Sequence, residues 1–99
     1  MVIARSSADA AVRLAILDRV ATGSVAFRDR YACLAGRDDV DAHIAALQQM
    51  MPSTITRDGE LKACQGQALV RWTAGGMRGT NVFDLDADGR IASVVGYWD

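Results

Sequence analysis

The sequence predicts an α+β fold in which a curved antiparallel sheet packs on two helices. Three observations carry that expectation. Before Pro52, two segments repeat their apolar residues at the helical period, and after it the pattern alternates at period two. Pro52 is the only proline and stands at the changeover. Downstream, Asp58-Gly59, Gly75-Gly76 and Asp86-Ala87-Asp88-Gly89 punctuate the strand-like runs with turn chemistry. Helices first and an antiparallel meander afterwards is the order of an α+β domain.

Ser6-Ser7-Ala8-Asp9 reads as a capping box, with Ser6 as cap. The helix that follows, Ala8–Ala21, places Ala10, Leu14, Leu17 and Ala21 on one stripe and stops at Gly23. Ser24 to Asp29 changes to period two, with Val25, Phe27 and Asp29 sharing a face. Tyr31 to Ala35 reads as a loop. A second helix, Arg37–Met51, opens with Asp38, Asp39 and Asp41, which suit the positive end of the helix dipole. Its apolar stripe is Val40, Ile44, Leu47 and Met51, with His43 on the flank. Ser53–Arg57 and Glu60–Gln65 read as a hairpin across Asp58-Gly59. Gly66 marks a bulge in a long strand continuing through Trp72, and Gly75-Gly76 makes the next turn. Thr80–Leu85 and Arg90–Trp98 flank the last turn.

The chain has 99 residues, which suits one domain. It is 51% hydrophobic with a net charge of −1, so it has the composition of a folded globule. Eleven basic residues against 12 acidic ones leave no electrostatic footprint for nucleic acid. Met-Val-Ile-Ala-Arg is too short for a signal peptide, and no apolar run reaches membrane length, so a cytoplasmic protein with no membrane partner is expected. Cys33 and Cys64 lack the spacing of a zinc or redox site and are expected as reduced, mostly buried thiols. Asp84-Leu85-Asp86-Ala87-Asp88-Gly89 begins like a calcium loop, but Val95 falls where the bidentate glutamate is required. No metal or other cofactor is expected.

Two polar residues fall on apolar strand faces. Alternation sends Asp29 inward with Val25 and Phe27, where partial desolvation would make its carboxylate a better base. It could equally cap the loop at Arg30-Tyr31, or pair with Arg28 or Arg30. Asn81 shares a face with Phe83 and Leu85, and an amide there must find a partner or serve a ligand. His43 fits a half-buried surface histidine beside an apolar stripe. Trp72, Tyr97 and Trp98 fit core aromatics, and Tyr31 could present a phenol at the mouth of a site.

Gly79–Asp99, with Asn81, Asp86 to Ile91 and Tyr97-Trp98, resembles the close of a nuclear transport factor 2-like domain, the group containing ketosteroid isomerases and SnoaL-like polyketide cyclases. A second match lies upstream, where Val25-Ala26-Phe27-Arg28-Asp29 is followed by Gly36-Arg37-Asp38-Asp39-Val40-Asp41-Ala42-His43-Ile44. The resemblance covers roughly Leu17 to Asp99 and implies a cone-like, cystatin-like fold with a pocket between sheet and helices. It also implies that the family's usual first helix is missing. It maps Asp29 onto the general base of ketosteroid isomerases and Asn81 onto the oxyanion-binding acid. It makes His43 a candidate proton shuttle and Trp98 a pocket-lining residue. Site residues are thus Asp29 and Asn81 for chemistry, with His43, Trp72, Trp98 and Tyr31 for ligand binding.

The implied function is binding of a small apolar or carbonyl-bearing molecule, with isomerase, cyclase or hydrolase chemistry at Asp29 and no cofactor. The alternative is a non-catalytic, partner-binding scaffold of the same fold. A homodimer through the sheet face is expected in either case, because that face must bury Ala68, Val70 and Trp72 or their neighbours Leu69 and Thr73.

Overall fold

A computed structural model describes residues 10–50 and 55–99. Two helices, α1 (Ala10–Val20) and α2 (Arg37–Met50), pack on each other and on one end of a seven-stranded sheet. Its strands are β1 (Ala21–Arg28), β2 (Cys33–Ala35), β3 (Thr56–Arg57), β4 (Lys62–Cys64), β5 (Gln67–Ala74), β6 (Met77–Leu85) and β7 (Ile91–Trp98). They run in the order β2-β1-β7-β6-β5-β3, with β4 also on β5. The α+β expectation and the curved sheet hold. The capping box at Ser6–Asp9, Met51, Pro52 and the segment where a preceding helix would lie fall outside the described residues.

The sheet is mixed. Every pairing is antiparallel except β1 with β7, which run parallel with Phe27 beside Val94 and Arg28 beside Val95. Parallel neighbours need a long crossover between them, and here everything from β2 to β6 supplies it.

The first helix ends at Val20 and runs directly into β1, so Gly23 lies inside a strand, not at a helix stop. Glycine is used there for close approach: a Cβ at Gly23 would lie 3.2 Å from the Arg37 guanidinium, which in turn pairs with Asp18. Leu17 is buried as expected, but Leu14 is 44% exposed, because the buried face of α1 runs through Ile16, Leu17 and Val20 instead. In α2, Val40 and Ile44 are buried as expected. Gly36, at φ 90°, accepts the first helical hydrogen bond from Val40 N–H while donating its own N–H to Val25 O. Residues 33–35, expected as loop, add β2 to the sheet edge.

Asp58-Gly59 is not a hairpin. Strands β3 and β4 both pair with β5, Arg57 opposite Trp72 and Lys62 opposite Leu69, so the segment between them bulges from one interrupted edge strand. The hairpin turn is Gln65-Gly66, between Cys64 and Gln67, where a bulge was expected. Gly75 and Gly76, at φ 54° and 87°, make the two-residue β5–β6 turn as expected. In the β6–β7 turn, Asp86 Oδ1 accepts from Asp88 N–H at 3.0 Å and Arg90 N–H at 2.9 Å. Both cysteines are exposed, which corrects the buried expectation; each sits at the end of a short, three-residue strand that pairs on one side only.

Alternation along the strands sorts the sheet into two faces. Val25, Phe27, Val70, Phe83 and Val94 turn inward and join Leu17, Val40 and Ile44 in one core. Leu69, Val82 and Val95, aligned across β5, β6 and β7, belong to the opposite face with Tyr97, which is 59% exposed. No helix among the described residues is long and apolar enough to cross a membrane.

Candidate functional site

The inward face carries a second, more polar cluster beside the core. Cross-strand register sets it out in rows. Val70, Asn81 and Gly96 are paired across β5, β6 and β7, and the next row holds Trp72, Gly79 and Trp98. Asp29 follows directly on β1, whose last residue, Arg28, lies beside Val95.

Asp29 and Asn81 converge on Gly96. A Cβ built on Gly96 would lie 3.1 Å from Asn81 Oδ1 and 3.4 Å from Asp29 Cβ, so the glycine leaves the space in which these two residues approach. Gly79 does the same for Trp72: a Cβ there would fall 2.5 Å from the indole Cζ2. Neither glycine was singled out from sequence, although a glycine within a strand run signals close approach.

Asp29 is partly buried, and its carboxylate collects three N–H donors. Oδ1 accepts from Tyr31 N–H at 2.8 Å and Ala32 N–H at 2.9 Å, and Oδ2 accepts from the Trp98 indole at 3.2 Å. The backbone closes the same turn through Asp29 N–H to Ala32 O at 2.9 Å. The loop-capping role and the inward placement, alternatives on sequence, are therefore both realised. An ionised carboxylate offers about four acceptor positions. Three donors leave room for one more on the Oδ2 side.

Asn81 is 1% exposed. Its Oδ1 accepts from the Trp72 indole N–H at 3.3 Å. Its nitrogen, also buried, has no hydrogen-bond partner among the described residues. A buried donor left unmade costs about 1–3 kcal/mol. Such a group is an unfilled demand for an acceptor.

The aromatic residues link these groups. Trp72 and Trp98 meet edge to face at 5.1 Å, and Tyr31 stands edge-on to Trp98 at 5.6 Å. Trp72 itself is 2% exposed, and its indole N–H is donated to Asn81 Oδ1. Tyr31 is 74% exposed and rims the cluster, with the Arg30 guanidinium 5.8 Å from its ring centre. His43 sits apart, on α2, with its ring 5.4 Å from Phe27 at 40°. The rows thus bring together Asp29, Asn81, Trp72, Trp98 and Tyr31, and place His43 against the core.

Among the described residues no group of three or more His, Cys, Asp or Glu could hold a metal ion. Asp84, at the far end of β6, is displaced from its ordinary value. Hydrogen bonds from Gln67 and then Ser93 hold its carboxyl below 3.8.

No family model and no curated protein matches the chain. Solved structures do. A protein of the SnoaL-like family from Agrobacterium tumefaciens is similar over 99% of this chain and 90% of its own, with a TM-score of 0.93 and 22% identity. A SnoaL-like protein of unknown function from Burkholderia thailandensis is similar over 98% and 92%, at 0.75 and 20%. A Catenulispora acidiphila protein with a ketosteroid isomerase-like fold, solved with trimethylamine, is similar over 97% and 79%, at 0.79 and 12%. What is shared at these identities is the fold.

Proposed function

From the fold that this chain shares with SnoaL-like and ketosteroid isomerase-like proteins, we propose that it binds a small carbonyl-bearing molecule on the concave sheet face and moves a proton on it, with Asp29 as base. The observation that carries this reading is the meeting of Asp29 and Asn81 across Gly96, with a carboxylate short of one donor and an amide nitrogen without an acceptor. Trp98 and Tyr31 add apolar surface beside them.

In the proposed step, Asp29 takes a proton from the carbon next to the carbonyl. The C–H electron pair forms the enolate double bond, and the carbonyl pair moves onto oxygen. The Asn81 N–H donates to that oxygen, where negative charge grows, and so favours the transition state over the ground state. Asp29 then returns its proton to the same or a neighbouring carbon. No cofactor is required.

Deuterium exchange tests this without knowledge of the natural substrate. Acetophenone in D2O should lose its methyl-proton signal faster with the protein than without it, and Asp29→Asn should remove the acceleration while the fold persists. Exchange that is unchanged by Asp29→Asn would refute the base assignment.

A non-catalytic scaffold is the second reading, favoured by the outer face. Leu69, Val82 and Val95 form an apolar row there, next to the exposed Tyr97. Such a face suits a second copy of the chain.

A further inference from the structure

A carboxamide can be seated either way round, and Trp72 permits one of them. An indole nitrogen donates and never accepts. The Trp72 nitrogen lies 3.3 Å from the Asn81 carboxamide in a buried setting, so the atom facing it has to be oxygen. Reversal would set N–H against N–H. Trp72 cannot readily swing aside, since its six-membered ring rests on Gly79 and its indole meets Trp98 at 5.1 Å.

We propose that Trp72 is a positioning residue that fixes the Asn81 oxygen toward its indole and so makes position 81 a hydrogen-bond donor only. The chemical consequence rests on the proposed function: the ligand atom that meets Asn81 is an acceptor, such as a carbonyl, carboxylate or ether oxygen. A group that can only donate, such as an ammonium, is refused at this position.

Two measurements test this. In nitrogen-edited NMR of the ligand-free protein, Trp72 Hε1 and the Asn81 side-chain NH2 should give no strong cross-peak. In Trp72→Phe, which keeps a ring and deletes the donor, the Asn81 NH2 pair should broaden or double as the amide samples both orientations. A strong cross-peak in the wild type overturns the proposal, as does an unchanged Asn81 pair in folded Trp72→Phe. If that variant does not fold, the wild-type cross-peak still decides the matter.

The second measurement uses acetophenone, which only accepts, and benzylammonium, which only donates. Acetophenone should shift the Asn81 NH2 signals and bind Trp72→Phe about fivefold more weakly, the loss of one modest hydrogen bond. Benzylammonium should leave those signals in place, and movement of the Asn81 pair by it overturns the donor-only assignment. Should neither probe move Asp29, Asn81 or Trp98 while the ligand-free spectra are as expected, the positioning role stands and the proposed function falls.

Discussion

Asp29 and Asn81 are neighbours because residue 96 has no side chain. The two lie 52 residues apart in sequence, one just past a strand end and one mid-strand, yet both reach the space above Gly96.

Replacement of the two glycines should therefore give different outcomes. Gly79→Ala forces a methyl to within 2.5 Å of Trp72 Cζ2 and 2.6 Å of Tyr97 O, and the backbone oxygen cannot step aside. It should destabilise the fold by about 1–3 kcal/mol, as overpacking does. Gly96→Ala meets Asn81 Oδ1 at 3.1 Å, a contact that a small side-chain shift relieves. It should cost less stability and chiefly disturb the Asn81 signals. Urea denaturation of both variants checks the order, and equal losses would contradict it.

Asp29→Ala should destabilise by about 1–3 kcal/mol, because Tyr31 and Ala32 N–H and the Trp98 indole lose their acceptor. Asp29→Asn keeps one oxygen and should cost less. The Trp98 Nε1–H resonance should move in both variants. A Trp98 signal unmoved by Asp29→Ala would show that the bond is absent in solution.

Asp84 should titrate below 3.8, held there first by Gln67 and then by Ser93. The sign follows from linkage: a carboxyl depressed in the folded state contributes stability above its unfolded value, and that contribution is lost as pH falls through the folded one. The window is thus below about pH 4. Ser93→Ala should raise the Asp84 midpoint, leaving Gln67 as the remaining donor. An NMR titration in which Ser93→Ala leaves Asp84 unchanged would refute the assignment.

A homodimer through the outer face should form at micromolar concentration, with Leu69, Val82, Val95 and Tyr97 at its centre. The inward set of Val70 and Trp72 is already buried within the chain, so the outer set is the one available. Tyr97→Glu should shift the sedimentation boundary toward monomer. A wild-type monomer in the same experiment would remove the scaffold reading's main support.

Period and turn chemistry made both helices and most strands legible, because those signals are local. Register is not local. Asp58-Gly59 carries the chemistry of a tight turn, yet a glycine at φ 88° serves a bulge equally well. Only the pairing of Arg57 with Trp72 and Lys62 with Leu69 decides between them. The same holds for Leu14: helical spacing named a stripe, and packing against α2 and β1 rotated it toward Ile16 and Val20. In the site, alternation placed Asp29 and Asn81 inward, but nothing in either segment shows that β1 lies beside β7. Their meeting at Gly96 follows from that one pairing, whereas the capture of Trp72 by Asn81 follows from the β5–β6 register.

The parallel seam between β1 and β7 also sets a timetable. Among the described residues, strand β1 is the first strand made and β7, its parallel neighbour, is the last. Contacts this distant in sequence carry a large loop-closure cost and slow the search for the native state. Until Trp98 has been synthesised, Asp29 lacks its indole donor and β1 has only β2 beside it. The nascent chain therefore exposes an open strand edge and an unfinished core until β7 is made, the interval in which aggregation competes with folding. On this account Asp29, Asn81 and Trp98 come together only once β7 has been made.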